Sequence, residues 1–346
     1  MVALNWKDIY TNLRHRVPNN CYFSGVKING VKQIGEKVIV TSAANEAQCD
    51  FFIAADGVNS SIRAQLFPES AAHYAGYVAW RGTISVSATS IPEKLKENFH
   101  YFVLPNGQKG HLLIYSIPAL NYQQTKQVLI NWMLYETWAP NDLISLMVDK
   151  AGMQQKTSLP RGSLSQTHIT HLYDLANQAF PPEIAEIITK TQQPFLQVIF
   201  DSIISQFTNQ SICFLGDAAI TLRPHSGSGA AHAIILAITL AKTFSSSDLK
   251  NQLQIWNRER MADAKHQSIL SQRIGNGLIN TTNWAQIASI SNGMDQWWAK
   301  ILNGQAIYWD TNSTKEKKPN SLLFTTPTSS EKTTAQNNGK KINSKL

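Results

Sequence analysis

The sequence predicts an α/β fold in two halves, interrupted by a β-rich insert. Three observations carry that expectation. Two short apolar runs, "FFIAADG" and "SICFLGD", each end in paired glycine and aspartate, and they lie far apart in the chain. Each is followed by a helical pattern, "VNSSIRAQLF" after the first and "GAAHAIILAITLAKTF" after the second. Between them, residues 74–138 read as successive strands rich in aromatic and β-branched side chains.

In chain order, residues 5–16 place Trp6, Ile9, Tyr10 and Leu13 on one helical face, and Pro18 ends that helix. "GEKVIVTSA" and "AQCDFFIAADG" alternate as two strands joined around Ala44-Asn45-Glu46. The second becomes continuously apolar from Phe51 to Ala55, the pattern of a strand buried on both faces. "YVAWRGTISV", "HYFVLP", "GHLLIYSIP" and "QVLINWMLYETW" are the strands of the insert, with turns at "NGQKG" and "ALNYQQ". "NDLISLMVDKAGM" and "PPEIAEIITKT" are helical in pattern, "PFLQVIFDSI" and "SICFLG" are short strands, and residues 230–244 and 248–280 are helices. The expected organisation is a first part of an α/β domain over 1–70, a β-rich substrate insert over 71–200, the second part with C-terminal helices over 201–300, and a disordered basic tail over 314–346.

Composition narrows the function classes. A chain of 346 residues with 43% hydrophobic side chains supports one large or two modest cores. No apolar run approaches the ~18 residues of a membrane-crossing helix, and the start, "MVALNWKDIYTNLRHR", lacks a signal-peptide core. Cys21, Cys49 and Cys213 form no CxxC or Cys/His cluster, so neither zinc nor a disulfide scaffold is expected, and a cytoplasmic setting follows. Seven lysines against two glutamates fall in residues 314–346, so that stretch carries +5 of the net +8. The charge therefore reads as a solvated tail rather than a nucleic-acid surface.

The two acidic turns have a specific chemical use. An aspartate at the end of a strand can accept hydrogen bonds from ribose or ribityl hydroxyls, while backbone N–H groups at the next helix start hold phosphate or a flavin carbonyl. In "GDAAITLRPHSGSGAAHAI", Gly216-Asp217 is followed by Pro224, which stiffens the loop, and by Gly227, Ser228 and Gly229, which lead into a helix. That helix's positive end suits the negative charge that builds on a reduced flavin. A Gly-Asp turn by itself is equally a tight turn that caps a helix, and "GSGAAH" is not a GxGxxG fingerprint.

With both turns present, the sequence resembles the FAD-dependent aromatic hydroxylases, the single-component flavoprotein monooxygenases. "AADGVNSSIR" looks like their Asp-Gly motif, and "GDAAITLRPHSGSGAAHAIILAITLA" like their Gly-Asp…Pro-x-x-Gly-x-Gly motif. "YAGYVAWRGTI", "GHLLIYSIP", "NWMLYETW" and "RPHSGSG" are similar to the 2,6-dihydroxypyridine 3-hydroxylase-like branch, and the resemblance covers about residues 5–280. It implies a p-hydroxybenzoate hydroxylase-like FAD/NAD(P)-binding domain with an inserted sheet that roofs the substrate. It implies FAD as cofactor, NAD(P)H as co-substrate, and hydroxylation of a small aromatic or heteroaromatic ring with O2 through a flavin hydroperoxide. By the same resemblance Asp56, with Gly57, and Arg63 lie near the FAD pyrophosphate, Asp217 holds ribityl or ribose hydroxyls, and the loop 224–229 lies beside the isoalloxazine.

The family pattern begins with a strand, a GxGxxG turn and a helix, whereas Gly25, Gly30 and Gly35 are too widely spaced to supply it. The sequence is therefore expected to be N-terminally incomplete. A separate chain supplying that unit, a homodimer, or a non-catalytic split-gene half that cannot hold FAD alone are the alternatives. Ile234, Ile235 and Leu236 replace the acidic residues that the family carries after its second motif. His225, in the flavin-facing loop, is the candidate catalytic side chain, with loop structure as its other reading. Arg81, inside an aromatic strand, needs a partner, either a substrate anion or a structural ion pair. Tyr77, Trp80, Tyr115 and Trp132 read as core with one or two lining a pocket, and no histidine spacing suits a metal.

Overall fold

The structure, a computed structural model, describes residues 6–96, 99–120 and 122–280. The stretch 314–346 and the end of the expected 201–300 segment lie outside the described residues.

The chain opens with α1 (Trp6–Arg14), as its apolar spacing predicts, followed by β1 (Ile28–Ile34), β2 (Lys37–Ser42) and β3 (Glu46–Cys49), a three-stranded antiparallel sheet. β1 has no counterpart among the predicted elements, because Asn29, Gly30, Lys32 and Gln33 leave it few apolar residues. "AQCDFFIAADG" is not one strand. Asp50 ends β3, and β4 (Phe52–Ala54) then joins a different sheet, running parallel to a later strand. Nor is β4 buried on both faces. It sits at one end of a three-stranded order, and Ile53 is 43% exposed while Ala54 is buried. α2 (Ser61–Leu66) follows the first acidic turn.

The insert supplies most of a seven-stranded sheet, to which the later residues 220–221 add a short edge strand. Its long members are β5 (His73–Ser85), β6 (Phe99–Val103), β7 (Gly110–Pro118) and β8 (Val128–Thr137), with α3 (Tyr122–Thr125) in the turn before β8. After α4 (Pro140–Leu146) and β9 (Ser158–Leu159), α5 (Gln166–Ala179) and α6 (Pro182–Thr189) lead to β10 (Phe195–Ile203). α5 is absent from the sequence reading although Ser165 opens it with a capping box to His168. The mixed polar face of "QTHITHLYDLANQA" hides its period. β11 (Thr208–Asn209), β12 (Ile212–Phe214), β13 (Ile220–Thr221), α7 (Gly229–Thr243) and α8 (Leu249–Asn280) complete the described chain.

Period-2 alternation divides the large sheet into two faces. On one, Trp80, Trp132, Leu134 and Leu196 are fully buried with Leu172 of α5 and Ile187 of α6. Gly82 makes this layer possible, since a Cβ there would stand 2.6 Å from the Trp132 ring. The other face carries Tyr77, Ala79, Leu113, Met133, Tyr135 and Ile199, with Ile279 of α8 packed on them. A separate α/β core gathers Ala54, Phe207, Phe214, Ala218, Leu236 and Trp256. Burial pushes the Cys213 thiol up to about 12, which leaves it an inert core side chain.

Candidate functional site

The two acidic turns, more than 150 residues apart, are brought side by side. β4 and β12 pair in parallel with Ala54 opposite Phe214, and Leu215 N–H donates to the Ala54 carbonyl at 2.9 Å. Asp56-Gly57 and Gly216-Asp217 therefore leave the carboxyl ends of two neighbouring parallel strands, the edge at which open α/β sheets bind ligands. Gly216 turns with φ +57°, a left-handed backbone that a side chain disfavours.

Asp56 uses one carboxylate oxygen as a cap. Its Oδ2 accepts from Ser61 N–H at 2.9 Å, while Ser60 Oγ accepts from Arg63 N–H at 2.9 Å, so both secure the start of α2. Arg63 is 5% exposed. Its Nη1 donates to the carbonyls of Asp217 at 2.8 Å and Ala218 at 3.3 Å, and its Nη2 to that of Val58. The guanidinium thus ties one acidic turn to the other through backbone. The residue expected beside the pyrophosphate is turned into the protein, and it positions the turns. Arg63→Met removes a donor from all three carbonyls, of which that of Asp217 keeps Thr221 Oγ1. It is expected to lower unfolding stability by about 1–3 kcal/mol, read from urea unfolding.

Past Asp217, whose side chain is exposed, the chain returns through β13 to Arg223. Arg223 holds the loop 224–229 from beneath. Its Nε donates to Asp201 Oδ2 at 2.7 Å, its Nη2 forms an ion pair with the same oxygen at 2.7 Å, and its Nη1 donates to Asn276 Oδ1 at 2.7 Å. Pro224–Ser226 form a single 3-10 turn, Gly227 follows at φ +63°, and α7 starts at Gly229. Ser228 occupies the N-cap position without a side-chain cap, its Oγ being 2.7 Å from Ser226 Oγ. Gly229, Ala230 and Ala231 are exposed. Their N–H groups form an open, positive helix end. An uncapped helix start, an exposed carboxylate at a strand end and a bare glycine loop fit the donors and acceptors of a flavin dinucleotide.

His225 points from this loop to the sheet. Its Nε2 lies 2.9 Å from Tyr77 Oη, and its ring centroid lies 4.6 Å from that of Tyr135 and 5.5 Å from that of His111. Burial holds the His225 imidazole well below its ordinary range, with the nearby His111 and Arg223 acting in the same direction. Gly275 lets α8 approach, since a Cβ there would stand 2.9 Å from both Arg223 Cδ and Tyr77 Oη.

His111 is fully buried, and burial brings it down to about 3. The unfolded chain therefore binds a proton near pH 6.5 that the folded protein refuses. Stability is complete above that pH and falls as pH drops beneath it, by about 1.4 kcal/mol per pH unit for one histidine. His111→Gln is expected to make the acid side of the stability–pH curve shallower by about one proton, as measured by urea unfolding across pH.

Arg81 lies on the Tyr135 face of the sheet, directly across from Met133 and from Phe195. It forms no ion pair among the described residues. Its Nη1 donates to Gln197 Oε1 at 2.7 Å, and its guanidinium stands 5.5 Å from the Phe195 ring centroid. Trp80 and Trp132 are core on the opposite face, where Trp132 Nε1 donates to Thr191 Oγ1 at 2.9 Å. Among the described residues no cluster of three or more metal-ligating side chains occurs, and no helix is long and apolar enough to cross a membrane.

Sequence reasoning missed Asp201, Asn276, Gly275, Tyr135 and His111. Only Arg223, adjacent to the "PHSGSG" loop, carried a usable signal, because a cation beside a buried strand needs an acid.

Residues 74–201 match the family model described as FAD binding domain-like. The 2,6-dihydroxypyridine 3-monooxygenase of Paenarthrobacter nicotinovorans is 28% identical over 261 residues, covering 74% of this chain and 64% of that protein. The chain thus spans slightly under two thirds of that relative. The solved 2,6-dihydroxypyridine-3-hydroxylase from Arthrobacter nicotinovorans superposes with a TM-score of 0.73 at 26% identity, over 80% of this chain and 70% of that one. HpxO of Klebsiella pneumoniae, solved with FAD and uric acid, shares the fold with a TM-score of 0.61 at 16% identity, over 85% and 67% of the two chains.

Proposed function

Because this chain is related to the FAD-dependent aromatic hydroxylases, we propose that it takes part in the hydroxylation of a small aromatic or heteroaromatic ring, with FAD as cofactor and NAD(P)H as co-substrate. The observation that carries this reading is the pairing of the two acidic turns at adjacent strand ends, with the uncapped start of α7 beyond them. Asp217 would accept from ribityl or ribose hydroxyls, and the N–H groups at 229–231 would face the electron-rich edge of the flavin. Gly57, Gly216, Gly227 and Gly229 keep the approach free of side chains. Asp56 and Arg63 hold the turns in register and contribute through backbone.

The chemistry such a cofactor supplies is hydride uptake from NAD(P)H and activation of O2. One oxygen atom converts a ring C–H to C–OH, and the other leaves as water with the two electrons and a further proton. The chain's own part is to orient the ring, exclude water and manage a proton. With Nε2–H donating to Tyr77 Oη, the neutral imidazole of His225 would present Nδ1 as a hydrogen-bond acceptor to a ring hydroxyl, drawing its proton away from the ring as oxygen attacks. Tyr77 fixes the imidazole orientation through their 2.9 Å contact. The domain division follows the same logic, with the sheet of 71–200 covering the ring and 1–70 and 201–300 holding the cofactor.

The test is oxygen uptake and NAD(P)H oxidation by the chain with added FAD, in the presence of candidate rings, with product identified by mass. A ring-dependent rate giving a product one oxygen heavier is the expected result. NAD(P)H oxidation that no ring stimulates, with no hydroxylated product, would remove the proposal.

A further inference from the structure

The Tyr135 face of the large sheet carries hydrogen-bond donors that the fold leaves unanswered. Arg81 Nε is buried and has no hydrogen-bond partner among the described residues, and the same holds for Asn131 Nδ2. The two are neighbours. Asn131 pairs with Thr83 across β5 and β8 and Arg81 pairs with Met133, so they stand diagonally adjacent on one face. A second guanidinium reaches the same place. Arg161 lies 5.2 Å from the Phe195 ring centroid, where Arg81 lies at 5.5 Å, and it donates to Thr83 Oγ1 at 3.3 Å. Neither arginine forms an ion pair among the described residues. Glu136, by contrast, belongs to the opposite face, where it accepts from Trp80 and Trp138.

A guanidinium donates five hydrogen bonds and accepts none, and an amide nitrogen only donates. Buried donors without partners are rare, and each costs stability unless something answers it. Two buried, unanswered donors with an exposed guanidinium beside them, and no carboxylate among them, describe the ligand by complement, an oxyanion whose lone pairs can answer more than one donor. Tyr135 lies between this cluster and His225, since its ring is 4.6 Å from the His225 ring and the register makes it the diagonal neighbour of Arg81 on the same face.

We propose that Arg81, Asn131 and Arg161 form the anion-recognising end of the ring site, so that the substrate is an anionic ring carrying a carboxylate or a deprotonated ring hydroxyl. The inference rests on the ring-hydroxylase reading. It adds the charge of the substrate and the residues that read it. Neutral rings of equal size leave Arg81 and Asn131 unanswered and bind less well, which makes the cluster a filter as well as an anchor.

The experiment titrates the chain with matched ring pairs at neutral pH by calorimetry, with FAD titrated separately on the same preparation. One pair is salicylate and salicylamide, and the other is 2,6-dihydroxypyridine and its dimethyl ether. The anionic member of at least one pair is expected to bind about 10- to 100-fold more tightly than its neutral partner. Which pair discriminates identifies the source of the charge. Arg81→Met should abolish that preference while leaving the FAD dissociation constant unchanged. Asn131→Asp, which puts an acid in place of a donor at nearly constant volume, should weaken anion binding at least as strongly and guards against a folding defect in the first variant. Equal binding of charged and neutral members, no binding by any ring, or a preference that survives both substitutions overturns the inference. Absence of FAD binding sinks the flavin reading instead, and the ring pairs still decide this one.

Discussion

Asp201→Leu is expected to lower the stability of the protein by about 3–5 kcal/mol, the usual cost of removing one partner from a buried ion pair. The Asp201 and Arg223 side chains are 12% and 9% exposed, so neither has water to fall back on. Asp201 Oδ2 accepts from Arg223 Nε at 2.7 Å and lies 2.7 Å from its Nη2, and Oδ1 accepts from Gln272 at 3.4 Å. Without the carboxylate, Arg223 keeps Asn276 and the neighbouring Tyr77 as neutral partners, and no other charge answers it among the described residues. Because Arg223 immediately precedes Pro224, the displaced guanidinium should carry the loop 224–229 with it. Urea unfolding measures the stability. The paired variant Asp201→Leu with Arg223→Met tests the cause, since replacing both charges by apolar groups is expected to recover much of the loss. If the double variant is as unstable as the single one, the cost lies in packing rather than in an orphaned charge.

Asp217→Ala is expected to weaken FAD binding by about 10- to 150-fold, the equivalent of one charge-assisted hydrogen bond of about 1.5–3 kcal/mol. The structural tasks at this position are done by its backbone. The Asp217 carbonyl accepts from Arg63 Nη1 at 2.8 Å and from Thr221 Oγ1 at 3.1 Å. The carboxylate is exposed, and no hydrogen bond to it is found among the described residues. Removing it should leave the melting temperature of the free protein unchanged, which separates a binding role from a structural one. Asp56 provides the contrast. Its carboxylate caps α2, so Asp56→Ala should cost stability as well as affinity. An Asp217→Ala variant that keeps its melting temperature and its FAD affinity would remove Asp217 from the site.

The sequence made some of these features legible and concealed others for definite reasons. Strands such as β7 and β10 are readable because aromatic and β-branched residues bounded by turns have few alternatives. The second acidic turn is readable because Gly, Asp and Pro each constrain the backbone at fixed positions. "AQCDFFIAADG" misled, since hydrophobicity alone cannot say that the chain leaves one sheet at Asp50 and enters another at Phe52. α5 was hidden because its buried side includes His168, which donates or accepts as a cap rather than following the apolar period. Arg63 matched a motif, but which way a guanidinium turns depends on carbonyls 154 and 155 residues away. The Asp201–Arg223 pair and the adjacency of Arg81 and Asn131 are matters of sheet register and loop placement. No local pattern encodes them.

The central claim is that the turn at Asp56-Gly57 and the segment from Gly216 through the start of α7 together form the flavin site. Hydrogen exchange with and without FAD, resolved by peptide, tests it most directly. The claim predicts slowed exchange in 55–63 and 215–232 on adding FAD, with the outer helices α5 and α6 unchanged, and loss of that protection in Asp217→Ala. Unchanged exchange in both segments, or protection confined to other parts of the chain, would contradict it.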